Sequence, residues 1–231
     1  MPAEDMKWYI DYLGIRGVNL FIPHAFFYSV EGARKDERPP DVGPNSIWWD
    51  HYNIISNYMK RISYIMTDSV NEAKVCVLCD NRNVHVDDVR DFYCNQIEFN
   101  YLPYSAFYDQ MIKDGKLSVG KNIYDYVYCD TRDIVKGVNH INGINDLSYR
   151  DIYTDIPCPD LRVSRLKKDD VRMIFLTNEG NSDISTNAYI DGTYHLLSYD
   201  LWRGNCWKMN VSQSKLLVSK GIFSSDFFGY R

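Results

Sequence analysis

The stretch GVNLFIPHAFFYSVEGARKDERPPDVGPNSIWWDHYNIISNYMKR, from Gly17 to Arg61, constrains the fold most, because an apolar run, a ring-rich polar loop and an amphipathic segment follow one another in it without a break. Val18, Leu20, Phe21 and Ile22, punctuated by Gly17 and Pro23, predict a short strand buried on both faces. Such a strand needs covering helices, and the order strand, loop, helix belongs to a parallel α/β barrel or sheet. In either architecture the loop after the strand's carboxyl end is where ligand chemistry collects. Here that loop, Pro23 to Ile47, carries His24, Phe26, Phe27, Tyr28, Glu31, Arg34, Lys35, Asp36, Glu37 and Arg38 before a rigid Pro39-Pro40.

Two readings of the loop stand side by side. In the first it is a sugar-binding rim: His24 bonds a hydroxyl, Phe26, Tyr28, Trp48 and Trp49 offer flat apolar faces, and Arg34 touches a carboxylate or ring hydroxyl. In the second it packs over a barrel mouth, with His24 bonded to a neighbouring backbone group. After the loop, apolar residues at 48, 52, 55, 59, 62 and 66 mark a long helix face, which Asn45 or Ser46 caps and the segment from Thr67 to Asn71 ends. Before it, Met6, Tyr9, Ile10 and Leu13 predict a first helix ending near Gly14 or Gly17.

Ala73 to Cys79 predicts a second buried strand, and Asp80-Asn81-Arg82-Asn83 a turn after it. Helical patterns at Val86 to Tyr93 and Tyr104 to Ile112 then alternate with strand-like pieces at Ile97 to Leu102 and Tyr124 to Cys129, the pattern of a small doubly wound sheet. Gly137 to Asn145 and Pro157-Cys158-Pro159 mark a boundary. Beyond it, Arg162 to Leu166, Val171 to Thr177, Ile184 to Ile190, His195 to Tyr199 and Lys215 to Ile222 read as strands of a β-sandwich, with Asn178-Glu179-Gly180-Asn181 and Asp191-Gly192 as hairpin turns. The organisation expected is α/β in three parts: residues 1–72, 73–157 and 158–231.

Composition closes off several functions. A net charge of −5 and a pI near 5.5 lack the clustered basic surface a nucleic-acid binder needs. No apolar run approaches the roughly 20 residues of a membrane helix, and Glu4 and Asp5 break the pattern of a signal peptide, so a cytoplasmic location is expected if Met1 is the natural start. The six cysteines lie mostly in apolar runs, and the strand reading of VCVLC points Cys76 and Cys79 to opposite faces, against a metal pair. No GxGxxG, GxxxxGK[ST] or GxSxG motif occurs, so no nucleotide or other cofactor is expected.

With these residues in view, the chain resembles the C-terminal half of large bacterial glycoside hydrolases of the kind grouped with family 106 α-L-rhamnosidases and sugar-binding family 2 relatives. GVNLFIPHAFFYS with RKDERPPD, WW and YMKRIS, FNYLP with DGKLSVG, and RMIFLTNEG with YDLWRG carry the resemblance. It implies that residues 1–72 are the end of a (β/α)8 barrel with its last strand and closing helix, 73–157 a flavodoxin- or amidotransferase-like domain, and 158–231 the start of an accessory β-sandwich. It also implies a carbohydrate partner, and an N-terminal segment or partner chain that completes the barrel.

Glycoside hydrolysis generally needs two carboxyl groups, about 5 to 5.5 Å apart for retention or about 6.5 to 9.5 Å for inversion. On the resemblance they would lie on earlier barrel strands, upstream of Met1. Near the predicted rim only Glu31, Asp36 and Glu37 are available, and their spacing reads as charges on a loop. The expectation is therefore a portion of a rhamnosidase-like hydrolase, acting on plant or host polysaccharide, that contributes sugar contacts and no catalytic residue. A stand-alone carbohydrate-binding or interaction module is the alternative, and a small hydrolase using Glu31 or Glu37 with Asp130 a third reading.

Overall fold

The computed structural model describes residues 3–36, 39, 41–129, 135–150, 152–190, 196–209, 213–218 and 226–230. Its central layer is an antiparallel sheet built around two long segments. LRVSRLKK forms β10 (Leu161–Lys168) and VRMIFLTN forms β11 (Val171–Asn178), joined by a tight turn in which Asp169 takes a φ of 52°. With β1 (Val70–Asn71), β13 (Leu196–Asp200), β14 (Asn205–Met209) and β16 (Asp226–Tyr230) they make six strands in the order β1-β10-β11-β16-β13-β14.

Successive side chains of β11 go to opposite faces, and both faces are covered. Met173 and Phe175 join Leu166 and Leu201 against two helices, α1 (Ala3–Gly14) and α2 (Tyr52–Met66). Ile174 and Leu176 join Leu161 and Val163 against a second, three-stranded sheet, β15-β12-β9, built from β9 (Ile152–Thr154), β12 (Ile184–Ile190) and β15 (Gln213–Val218). Most strands of these two antiparallel sheets come from the last part, with β1 and β9 added from earlier in the chain. The segment from Asn178 to Asn181, however, carries the chain from one sheet to the other, since β11 and β12 never pair, so it is not a hairpin. β14 and β16 were not anticipated, and His195 and Asp191-Gly192 lie outside the described residues.

Both helices of the first part form. α1 stops where Val18 N–H and Gly17 N–H bond back to Leu13 O at 3.1 Å and Gly14 O at 2.9 Å, with Gly17 in the left-handed region at φ 92°. α2 buries Ile55, Tyr58, Ile62, Ile65 and Met66, and Thr67 ends it. Its amino end departs from expectation. A 3-10 turn, Trp49–His51, precedes it, His51 occupies the cap position without a side-chain bond, and the Ser46 hydroxyl accepts the Trp48 N–H at 3.3 Å instead.

The expected buried strand from Val18 to Ile22 does not form. The backbone there has no ladder partner among the described residues, Leu20 is 68% exposed and Ile22 80% exposed, and only Phe21 leans on the helical core. A strand is a property of a pair, and among the described residues this segment has no neighbour to pair with.

The middle part is a parallel sheet of order β3-β2-β7-β8, from β2 (Val75–Cys79), β3 (Phe99–Pro103), β7 (Tyr126–Tyr128) and β8 (Asn139–Ile141). β2 is buried along its whole length because both faces are covered. On one face Leu78, Leu102 and Val127 meet Leu117 and Tyr124 of a meander, β4 (Ile112–Lys113), β5 (Lys116–Val119) and β6 (Asn122–Tyr124). On the other Val75, Val77 and Phe99 meet Phe92 of α3 (Arg90–Cys94).

The parallel strands are thus as expected and the helical layers are not. His85 at φ 52° and Gln96 at φ 58° bound α3 to a turn and a half, and Tyr104 to Ile112 yields two single 3-10 turns. The stretch from Gly137 to Asn145 holds edge strand β8 rather than a boundary. The last part is tied to both others: the Gln96 amide of the middle part donates to Cys158 O at 2.8 Å, and Glu179, which binds Arg162 at 3.0 Å, also binds Arg16 of the first part at 2.5 Å.

Candidate functional site

The rim loop owes its shape to one carboxylate. Asp41 accepts the Phe27 N–H at 2.7 Å and the Asn45 N–H at 3.0 Å, while the Asn45 amide donates to Phe27 O at 3.0 Å and Val42 N–H to Ala25 O at 2.9 Å. Desolvation pushes the Asp41 carboxyl up, but bonds from the Phe27, Asn45 and Gly43 backbone and the Asn45 side chain outweigh it and hold it below the usual range. Folding the loop back on itself this way brings Phe26 onto the start of α2.

There three rings meet. Trp49 and Tyr52 stack at 5.6 Å and 23°, and Phe26 presents its edge to both, at 6.2 Å and 77° to Trp49 and 5.8 Å and 89° to Tyr52. The cluster is open to solvent: Phe26 is 47% exposed and Trp49 39%. On the same loop Tyr28 stands 85% exposed beneath the guanidinium of Arg34, 4.3 Å from its ring centroid, Arg34 being on the 3-10 turn Gly32–Asp36.

Of the six residues expected to touch sugar, the structure brings Phe26 and Trp49 together and pairs Arg34 with Tyr28. Trp48 and His24 are exposed but form no ring pair among the described residues. Tyr52 was missed, because its place on the helical stripe counted it as core; burial raises its phenol pKa. The distance of three from Trp49, one helical turn, was the available signal.

Glu31 and Asp36 are exposed on the loop, Asp41 is committed to backbone donors, and Glu37 and Asp130 lie outside the described residues. No group of three metal-ligating side chains occurs among the described residues, and no helix there is long and apolar enough to cross a membrane.

No family model matches the sequence, and no curated protein does. Solved structures do match. The rhamnosidase of Novosphingobium sp. PP1Y superposes on 100% of the chain with a TM-score of 0.71 at 11% identity, and the chain spans 30% of its length. Looser matches are the β-galactosidase of Bacillus circulans sp. alkalophilus, with a TM-score of 0.41, 10% identity and coverage of 77% of this chain and 44% of that one, and the GH42 β-galactosidase Gan42B of G. stearothermophilus, with 0.46, 9%, 83% and 45%.

The fold is therefore a mixed α/β arrangement of several sheets and few helices that also occurs within a solved glycoside hydrolase. The particular likeness that carries this is to a portion of the Novosphingobium rhamnosidase.

Proposed function

We propose that the chain is a portion of a glycoside hydrolase of the α-L-rhamnosidase kind, family 106 by the resemblance of its motifs, acting on plant or host polysaccharide. It supplies an aromatic rim to the sugar site and leaves the catalytic carboxylates to another part of the enzyme. The observation that carries this reading is the solvent-open cluster of Phe26, Trp49 and Tyr52 at the loop where the chain leaves its extended segment. Stacked rings with exposed edges present the flat apolar face that the C–H side of a pyranose requires.

On this reading residues 1–72 are the end of a (β/α)8 barrel, 73–157 a flavodoxin-like unit and 158–231 an accessory sandwich. The unpaired backbone of residues 18–22, with Leu20 and Ile22 in water, fits a barrel strand whose neighbour is supplied by an N-terminal segment or a partner chain. His24, Tyr28, Arg34 and Trp48 line the same rim.

Calorimetric titration with a rhamnose-containing oligosaccharide tests the proposal. The chain binds it, and Trp49→Ala weakens binding about tenfold, as loss of a central aromatic contact worth over about 1 kcal/mol does. No heat of binding would remove the sugar rim. Turnover of an aryl α-L-rhamnoside by the isolated chain would show that the acids are within it; binding without turnover that survives a barrel partner's addition unchanged favours the stand-alone module.

A further inference from the structure

Away from the rim, the parallel sheet sets a thiol beside an imidazole. β7 and β8 pair in parallel with Val127 opposite His140, and side chains two apart on a strand share a face, so Cys129 follows Val127 on the face that His140 occupies. The result is a contact of 2.9 Å between Cys129 Sγ and His140 Nε2. It lies just past the carboxyl end of β7, the end of a parallel sheet where ligands bind. Cys129 is buried with Leu102, Leu117 and Val135, whereas His140 is half-buried and reaches the surface.

The neighbouring thiol behaves differently. Cys76, on the same side of the sheet, is pushed up to about 12 by burial, with charge on Cys79 and Cys129 adding to the effect. It stays a thiol and is inert. Cys206 is exposed and far enough along the chain to serve as an internal reference.

We propose that Cys129 and His140 form a thiol–imidazole nucleophile, a covalent modification site for a small, uncharged α,β-unsaturated carbonyl compound. The S–H bond breaks and its proton passes to His140 Nε2, leaving a thiolate beside an imidazolium. Sulfur then bonds to the β-carbon of the electrophile, and the displaced π electrons move to the carbonyl oxygen as an enolate. The imidazolium returns the proton to the α-carbon, so the product is a thioether, nothing leaves, and no atom is oxidised or reduced overall. The apolar wall of Leu102, Leu117 and Val135 restricts the reagent to small neutral compounds.

The test treats the full chain, native, with acrylamide and reads the adduct at each cysteine by peptide mass spectrometry. Cys129 is modified at least about tenfold faster than Cys76 near neutral pH, and His140→Gln slows Cys129 about tenfold while Cys206 is unchanged. Equal rates at Cys129 and Cys76, or a His140→Gln chain labelled at Cys129 as fast as the parent, would overturn the proposal. If that variant fails to fold, the parent decides: a Cys129 rate nearly level between about pH 6 and 8 supports the ion pair, and a tenfold climb per pH unit, that of an unassisted thiol, refutes it.

Discussion

Lys7 is the residue the sequence disguises most fully. In a helix whose apolar positions are Met6, Ile10 and Leu13 it reads as solvent-facing, yet its side chain is wholly buried, 2.5 Å from Asp11 and 5.1 Å from the Tyr58 ring centroid. The Tyr58 hydroxyl donates to the other Asp11 oxygen, and burial holds the Asp11 carboxyl above its usual range while Lys7 and Tyr58 pull it back. Removing one charge strands the other in the α1–α2 interface. Lys7→Met accordingly lowers stability by about 3–5 kcal/mol in urea unfolding, whereas Lys7→Met combined with Asp11→Leu recovers most of the loss. Nothing in the spacing signals this: a lysine four residues before an aspartate is equally the pattern of an exposed helix pair.

At the scale of elements, α1 lies close enough to α2 that Gly14 is a packing residue. A Cβ there would stand 3.0 Å from Ile62 Cγ2 and 3.5 Å from Phe175 Cε1. Gly14→Ala costs about 1–3 kcal/mol by overpacking, and in an Ile62→Ala background, where Cγ2 is gone, the same change costs less, a coupling that a double-mutant cycle on thermal unfolding measures. The elements legible beforehand were those whose pattern is internal to the segment: α1, the stripe of α2, the all-apolar β2 and the apolar-rich β10 and β11 with a turn between them. The strand from Val18 to Ile22 was misread because its apolar run fixes only that it wants a partner, and none stands beside it among the described residues. Likewise Tyr104 to Ile112 has helical spacing, but Phe107 and Tyr108 take extended backbone with ψ of 136° and 141°. Of the rim, the loop rings were legible and their meeting with Tyr52 was not, because it depends on Asp41 folding the loop back.

For the whole molecule the junction of the parts turns on Glu98. Its carboxylate accepts the Arg165 N–H at 2.7 Å and the Asn71 amide, so it ties β10 and β1 to the segment leading into β3. Desolvation raises its pKa from 4.5 to about 7 against the bonds from Ser164, Arg165 and Asn71. The native chain therefore keeps a proton that the unfolded chain has released, and stability falls as pH rises from about 4.5 to 7, then levels off. The drop is of the order of 2–3 kcal/mol, and Glu98→Gln, which carries no titrating proton, flattens it in urea midpoints measured across that range.

The six-stranded sheet has a further consequence, for synthesis. β16 sits between β11 and β13, so residues 226–230 close a ladder whose other members are all made earlier. While the ribosome is still delivering them, β11 and β13 each hold out an unsatisfied edge that could capture a strand from a neighbouring nascent chain. Completion of this layer waits on residues 226–230, and until they emerge the edges of β11 and β13 are the ones open to mispairing.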